Sequence, residues 1–321
     1  MKKKFIFLGI IIIILGIIIF FILKKIFILT KLGKKININN CLQETKKIIT
    51  DNKIKPIITS KYVNRPFHEF IVFASHNSFL PCMQHLDNSS VESIKYALMI
   101  GCRVIELDIY MRNYKKNDYE PVVVHGQESN KQDLFTTTQI LFSDCIDTII
   151  KYGFNTSDPL IILLELNIHK NIKCQQRMVE IIKTKLNNKL LSSKFKLKNK
   201  IKNFIDEPLV NLLNKIIFIA EYGINRPLLE ILDGSFLSSR INNNSSNVQN
   251  LQIKKNTVQR IYPAPSFTSI FSYNINPINF WKKGVNFVAA NIQKVDNNLL
   301  KHIIFFKKYS FIHKSLIKID N

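Results

Sequence analysis

The chain has 321 residues, 46% of them apolar, and carries 46 lysines and arginines against 23 acidic residues, a formal charge of +23. That apolar content supports one large core or two ordinary ones. Its five cysteines stand singly, with no CxxC pair, which excludes a structural zinc site of the usual kind. No zinc-finger, Gly-rich or RNP-type motif accompanies the basic charge, so no nucleic-acid partner is expected.

Lys2, Lys3 and Lys4 precede an unbroken apolar run from Phe5 to Leu23, and Lys24 and Lys25 follow it. At about 1.5 Å per residue a helix of this length reaches roughly 28 Å, one hydrocarbon thickness. A soluble helix this long would carry a polar face, and no small-residue cleavage site follows, as a signal peptide requires. Residues 1–25 are therefore expected to form one N-terminal transmembrane helix, an uncleaved single-pass anchor. The lysines just after it favour a cytosolic C-terminal body. Residues 26–65 read as a basic stalk.

From about residue 67, β-branched runs alternate with helical stretches. Strands are expected at 70–75, 103–109, 121–125, 160–166, 215–220, 258–262, 286–291 and 309–313, the later ones with help from the resemblance described below. Helices are expected at 91–100, 136–152, 175–190 and 206–214. Such alternation implies parallel strands, and eight of them make an α/β fold of one (β/α)8 barrel. The lysine-rich stretch 183–202 reads as a solvated, mobile connection. Residues 240–256, rich in Asn, Ser and Gln, read as a surface loop.

Four of these runs end in ionisable or amide residues. Ala-Ser leads to His76 and Asn77, Arg-Val-Ile to Glu106 and Asp108, Pro-Val-Val-Val to His125, and Leu-Ile-Ile-Leu-Leu to Glu165. Parallel strands would bring all of them to one rim, where such barrels build their active sites. Glu106 and Asp108, two apart on a strand, share a face. Asn77, Glu106, Asp108 and Glu165 form an all-oxygen donor set suited to a hard cation, Ca²⁺ or Mg²⁺, and the three carboxylates would repel one another without it. Two histidines beside a divalent cation suit displacement at phosphorus, one stabilising charge and the other protonating the leaving oxygen. The odd count and wide spacing of Cys41, Cys82, Cys102, Cys145 and Cys174 suit reduced thiols.

In combination these segments resemble the X box of eukaryotic phosphoinositide-specific phospholipase C: Ser75-His76-Asn77-Ser78-Phe79-Leu80, Gly101 to Asp108, Pro121 to Gly126, and Phe142-Ser143-Asp144 leading to Pro159 through Glu165. Arg260-Ile261-Tyr262-Pro263, Tyr273-Asn274, Trp281 and Val288 to Gln293 resemble its Y box. The resemblance runs from about residue 66 to 317. It implies a distorted TIM barrel split into an X half (66–182) and a Y half (206–321) joined by a basic connection (183–205). It implies calcium-dependent cleavage of a phosphoinositide lipid to diacylglycerol and inositol phosphate through a cyclic phosphate. His76 would stabilise the pentacovalent phosphorus and His125 would protonate the glycerol oxygen. Asn77, Glu106, Asp108 and Glu165 would hold Ca²⁺, with Glu106 or Glu165 as base. Arg260 would bind a ring phosphate, Tyr262 would pack under the inositol ring, and Ser235 would touch substrate.

This sequence also departs from the family. Where the family carries a lysine pair for ring phosphates, the chain reads Lys215 to Tyr222 with Glu221 among apolar residues, implying preference for phosphatidylinositol or a monophosphate over the bisphosphate. The connection is basic rather than acidic, so little self-inhibition is expected. Of an apolar membrane ridge, Phe267 is the remaining candidate. No obligate protein partner is evident; an anionic membrane surface is the expected platform, at about 1 kcal/mol per near-surface basic residue. A non-catalytic phosphoinositide-binding protein on the same barrel and a glycerophosphodiester phosphodiesterase are the alternatives.

Overall fold

The computed structural model describes residues 15–16, 19–21, 38–49, 54–84, 88–113, 118–127, 133–134, 138–168, 170–221, 223–264 and 272–317. Contacts divide the chain into Met1–Cys41 and Leu42–Asn321. In the first unit Leu15, Ile19, Phe20 and Phe21 are helical and exposed. Among the described residues no helix is long and apolar enough to cross a membrane. Most of the Phe5–Leu23 run, on which the anchor expectation rests, lies outside them.

The second unit is an α/β barrel of eight parallel strands in chain order: β1 (Ala74–Ser75), β2 (Val104–Asn113), β3 (Leu160–Leu166), β4 (Ile216–Ala220), β5 (Gly234–Ser235), β6 (Ile241–Ser245), β7 (Val258–Tyr262) and β8 (Phe287–Ala290). Each pairs in parallel with its neighbour, and β8 returns to β1 through Ala289 opposite Ala74. The ring stays open at one seam, because no ladder joins β5 to β6 among the described residues.

Register and the two-residue period explain what the barrel does with its side chains. Val104, Ile161, Ile217, Val258 and Phe287 point inward and pack with Phe67, Phe70, Phe204 and Phe311, which plug the lower end. The alternate residues, among them Ile105, Leu107, Ile162 and Phe218, point outward. They meet the helices α1 (Val91–Met99), α2 (Phe142–Gly153) and α3 (Ile172–Leu186). Capping fixes two helix starts: Ser90 accepts from Glu92 N at α1, and Asn171 accepts from Cys174 N at α3.

Several expectations need correcting. The eight expected strands match the barrel in number but not in membership. Strand 121–125 is instead an antiparallel return, Asp118–Val123, that pairs with the overlong end of β2. Residues Phe311–His313 pair antiparallel with Phe70–Val72 and belong to the lower end. The strands left out, β5 and β6, are two residues long and asparagine-rich respectively, so neither shows an apolar run. Residues 206–214 form two 3-10 turns, Phe204–Asp206 and Leu209–Leu212, rather than a helix.

The connection 183–205 is not a mobile tether. Leu191, Phe195, Phe204 and Ile205 are buried in the barrel plug, while most of the intervening lysines, serines and asparagines and Ile201 face solvent. Lys196 itself is buried against Asp233 at 2.8 Å. The body also begins before residue 65, since Ile57 is buried and its N–H donates to Asp158 at 2.6 Å. Cys102, Cys145 and Cys174 are free and buried. Cys82 is disulfide-bonded; spacing along the chain does not restrict which thiols a fold brings together.

Candidate active site

The inward positions change character at the upper rim. Along β2, Val104 is followed by Glu106 and Asp108. Along β3, Leu163 is followed by Glu165, and Asp108 and Glu165 stand opposite each other in register. Along β4, Ile219 is followed by Glu221. Val258 is followed by Arg260 and Tyr262 on β7, Ile241 by Asn243 on β6, and Ala74 and Ala289 lead to His76 and Asn291. One parity rule thus delivers a ring of polar groups onto an apolar floor.

Arg260 lies at the middle of this ring, only 1% exposed. It donates through one terminal nitrogen to Glu106 Oε1 and through the other to Asn243 Oδ1 at 2.9 Å. Its guanidinium sits 4.8 Å from the Tyr262 ring centre. Asn243 in turn donates to Glu221. Glu106 Oε2 accepts from the Asn77 N–H at 2.9 Å and lies 3.9 Å from His76 Nε2. Asn77 reaches this position with φ of 44°, a left-handed conformation that asparagine tolerates better than most residues. Burial alone would raise the Glu106 carboxyl, but the Arg260 charge, His76 and the Asn77 N–H bring it below its ordinary value.

Asp108 and Glu165 show the opposite balance. Burial first, then Glu165, Glu106 and Glu221, push Asp108 well above the carboxylate range. Burial first, then Glu221 and Glu106, push Glu165 up to about 7. Burial also raises Glu221. Four carboxylates therefore crowd one arginine.

His76 stacks on Tyr262 with ring centres 5.7 Å apart. Its Nδ1 is 3.0 Å from Asn291 Oδ1. Asn291 Nδ2 donates to Tyr273 O, which orients the amide and makes His76 Nδ1 the protonated nitrogen. Burial lowers the imidazole pKa more than Glu106 raises it. His125 arrives by a different route. β2 overshoots the rim, the chain returns along Asp118–Val123, and Val124 N donates to Asp108 O. His125 then places Nδ1 2.5 Å from the Gln84 carbonyl, which makes Nδ1 a protonated nitrogen of this ring.

The structure thus links His76, Asn77, Glu106, Arg260 and Tyr262 directly, and sets Asp108 and Glu165 beside them. Ser235 stands apart: it is in register with Ala220, an outward position, and its hydroxyl accepts from Leu237 N. Phe267 lies outside the described residues. Sequence reasoning missed Asn243 and Asn291, which the period of two would have placed inward. It also missed Gln84, which sits in a loop where no period applies.

Among the described residues, no three of His, Cys, Asp and Glu form a group that could hold a metal ion as the side chains stand. Glu106 is turned to Arg260 and Asn77, and the other carboxylates repel. The donor chemistry nevertheless fits a hard cation: every candidate ligand atom is oxygen. Moreover, Asp108 Oδ1 is buried without a hydrogen-bond partner.

Family models cover this same stretch. The model for the phosphatidylinositol-specific phospholipase C X domain matches residues 63–221, and that for the Y domain matches 233–311. The chain belongs to the phosphatidylinositol-specific phospholipase C family. The X match ends at Glu221 on the rim, and the Y match begins at Asp233, just before β5. The 1-phosphatidylinositol 4,5-bisphosphate phosphodiesterase 1 of Candida albicans is 29% identical over 194 residues, 56% of this chain and 17% of that protein. The inactive phospholipase C-like protein 2 of Homo sapiens is 26% identical over 316 residues, 78% of this chain and 25% of that protein. The alignments therefore cover a quarter or less of these relatives' own length. The crystal structure of PLC21 from L. pealei superposes with a TM-score of 0.63 at 17% identity, over 81% of this chain and 38% of that one, a likeness of fold.

Proposed function

We propose that this chain is a calcium-dependent phosphodiesterase that cleaves phosphatidylinositol or its phosphates to diacylglycerol and inositol phosphate, passing through a cyclic phosphate. The observation that carries the reading is the convergence of His76, Asn77, Glu106, Asp108, Glu165 and Arg260 on one barrel rim, inside the stretch matched by the family's X and Y domains.

Asn77, Asp108 and Glu165, with Glu106 turned from Arg260, would hold the ion. When bound, calcium supplies positive charge that eases ionisation of the inositol 2-hydroxyl. Glu106 or Glu165 accepts that proton. His76, kept as the Nδ1–H tautomer by Asn291, takes a proton on Nε2 and donates it toward a phosphoryl oxygen; the anionic diester beside it favours that charge. His125, with Nδ1 engaged by the Gln84 carbonyl, delivers a proton from Nε2 to the departing glycerol oxygen. Tyr262 offers a flat apolar face to the ring. Arg260 meets a ring phosphate only in competition with Glu106, and Glu221 adds negative charge beside it. Both favour phosphatidylinositol or a monophosphate over the bisphosphate.

The N-terminal run would fix the barrel at the membrane that holds its substrate, raising effective concentration. Flanking charge favours a cytosolic body, whereas the Cys82 disulfide favours an oxidising compartment. Alkylation of Cys82 in intact cells, before and after reduction, decides between them. A second reading, a non-catalytic phosphoinositide-binding protein, draws on the likeness to the inactive human relative. Against it stands the full histidine and carboxylate set.

The test is release of inositol phosphates from defined phosphatidylinositol mixed micelles by the full chain, with calcium and with chelator. Release that depends on calcium supports the reading; binding of the lipid without release favours the second.

A further inference from the structure

We infer that Gln84 is a positioning residue that sets both the cation-binding amide and one catalytic imidazole. The inference rests on the phospholipase reading above. Gln84 follows the Ser-His-Asn segment in a loop, yet its hydrogen bonds cross three parts of the rim. Its Oε1 accepts from Asn77 Nδ2 at 2.8 Å. Its Nε2 donates to Asn291 Oδ1 at 2.9 Å and to Ser272 Oγ at 3.2 Å. Its main-chain carbonyl meets His125 Nδ1 at 2.5 Å. Both amide protons are engaged, so the carboxamide is locked in one orientation.

Each side-chain bond has a separate consequence. With Nδ2 drawn to Gln84, Asn77 turns its Oδ1 away from Gln84, and among the described residues no hydrogen bond holds that oxygen. It is the atom a cation would take. Released from Gln84, the Asn77 amide can flip and present an NH₂ group to the ion, which repels it. On the other arm, Asn291 Oδ1 is the acceptor for His76 Nδ1–H. The Gln84 donor keeps that oxygen in place and so keeps the imidazole tautomer. Groups that orient ligands in this way typically matter by 10–100-fold in metal affinity or activity.

Two substitutions separate the arms. Gln84→Met keeps the volume and removes every side-chain hydrogen bond. Gln84→Glu keeps an acceptor for Asn77 but sets an oxygen against Asn291 Oδ1. Calcium binding is measured by calorimetry on the lipid-free full chain, melting temperature by scanning calorimetry, and kcat and KM on phosphatidylinositol micelles at saturating calcium. For Gln84→Met the expected result is calcium affinity weaker by about 10–100-fold, with kcat reduced as well. For Gln84→Glu it is calcium affinity within about threefold of the parent, with kcat down by about tenfold and KM within about twofold. Parent-like calcium binding and turnover in both variants overturns the inference. So does a loss of binding and turnover that follows a common fall in melting temperature, since that would mark Gln84 as a packing residue. If the unsubstituted protein neither binds calcium nor cleaves the lipid, the phospholipase reading itself falls, and this inference with it.

Discussion

The two ends of the barrel treat charge in opposite ways. At the lower end the buried charges are mostly paired, although Asp158 Oδ2 and Arg103 Nε have no hydrogen-bond partner. Lys196 and Asp233 pair at 2.8 Å, and Asp233 also accepts from Phe218 N. Glu69 is shared between Arg65 and His313. Asn286, at the foot of β8, bonds the Phe70 and His68 carbonyls and the Gln259 N–H. At the upper rim, four carboxylates surround Arg260, one Asp108 oxygen has no partner, and Asp108 and Glu165 are pushed upward in pKa. The lower end sets opposite charges against each other, as Lys196 is set against Asp233. The rim carries strain that a proton or a bound ion must relieve, as functional sites commonly do.

The contrast predicts that changes at the two ends separate activity from stability. The largest effect belongs to the rim: His125→Ala should slow lipid cleavage by about 10²–10⁴-fold with little change in melting temperature, read by inositol phosphate release and calorimetry. A comparable fall in melting temperature would break the division. At the lower end, Lys196→Met leaves Asp233 buried and unpaired, costing about 3–5 kcal/mol of stability in denaturant titration, while activity per folded molecule is retained.

The rim should also give an inverted pH response. Glu165 titrates at 4.5 in an unfolded chain and at about 7 in the folded one, through burial first and Glu221 and Glu106 second. Below pH 4.5 both states hold the proton and no penalty arises. As pH rises from there to 7, the unfolded chain releases its proton first, so stability falls by up to ~3 kcal/mol in cation-free solution. Calcium should flatten this slope, and equilibrium unfolding at several pH values with and without it is the measurement. The smallest effect concerns selectivity. Glu221→Lys should raise turnover of the bisphosphate relative to phosphatidylinositol by about tenfold, ~1.4 kcal/mol.

The rim residues on β2 and β3 were legible in the sequence because apolar runs end in them, whereas Arg260 and Tyr262 on β7 were read only from the family resemblance. The parity rule that selects Glu106, Asp108 and Glu165 is local and survives without the fold. His125 was found for a reason the structure revises, since its strand is antiparallel and reaches the rim by doubling back. The Arg260 pairing with Glu106 joins residues far apart in the chain and has no local signal. The connection 183–205 misled because lysines dominate its composition while a few spaced apolar residues decide its burial. Excising 190–205 would not test self-inhibition by this segment, because the cut would remove Leu191, Phe195 and Phe204 from the plug and report on folding instead.

The seam between Ser235 and Ile241 gives the barrel a preferred line of give. A continuous ring of hydrogen bonds resists widening at every strand, whereas a cylinder slit along one side can spread there without breaking a ladder. The asparagines of β6 stand on one lip of that slit, and Asn243 is tied to Arg260 and Glu221. Spreading at the slit would therefore pull directly on the arginine, coupling the girth of the barrel to the grip on its central charge.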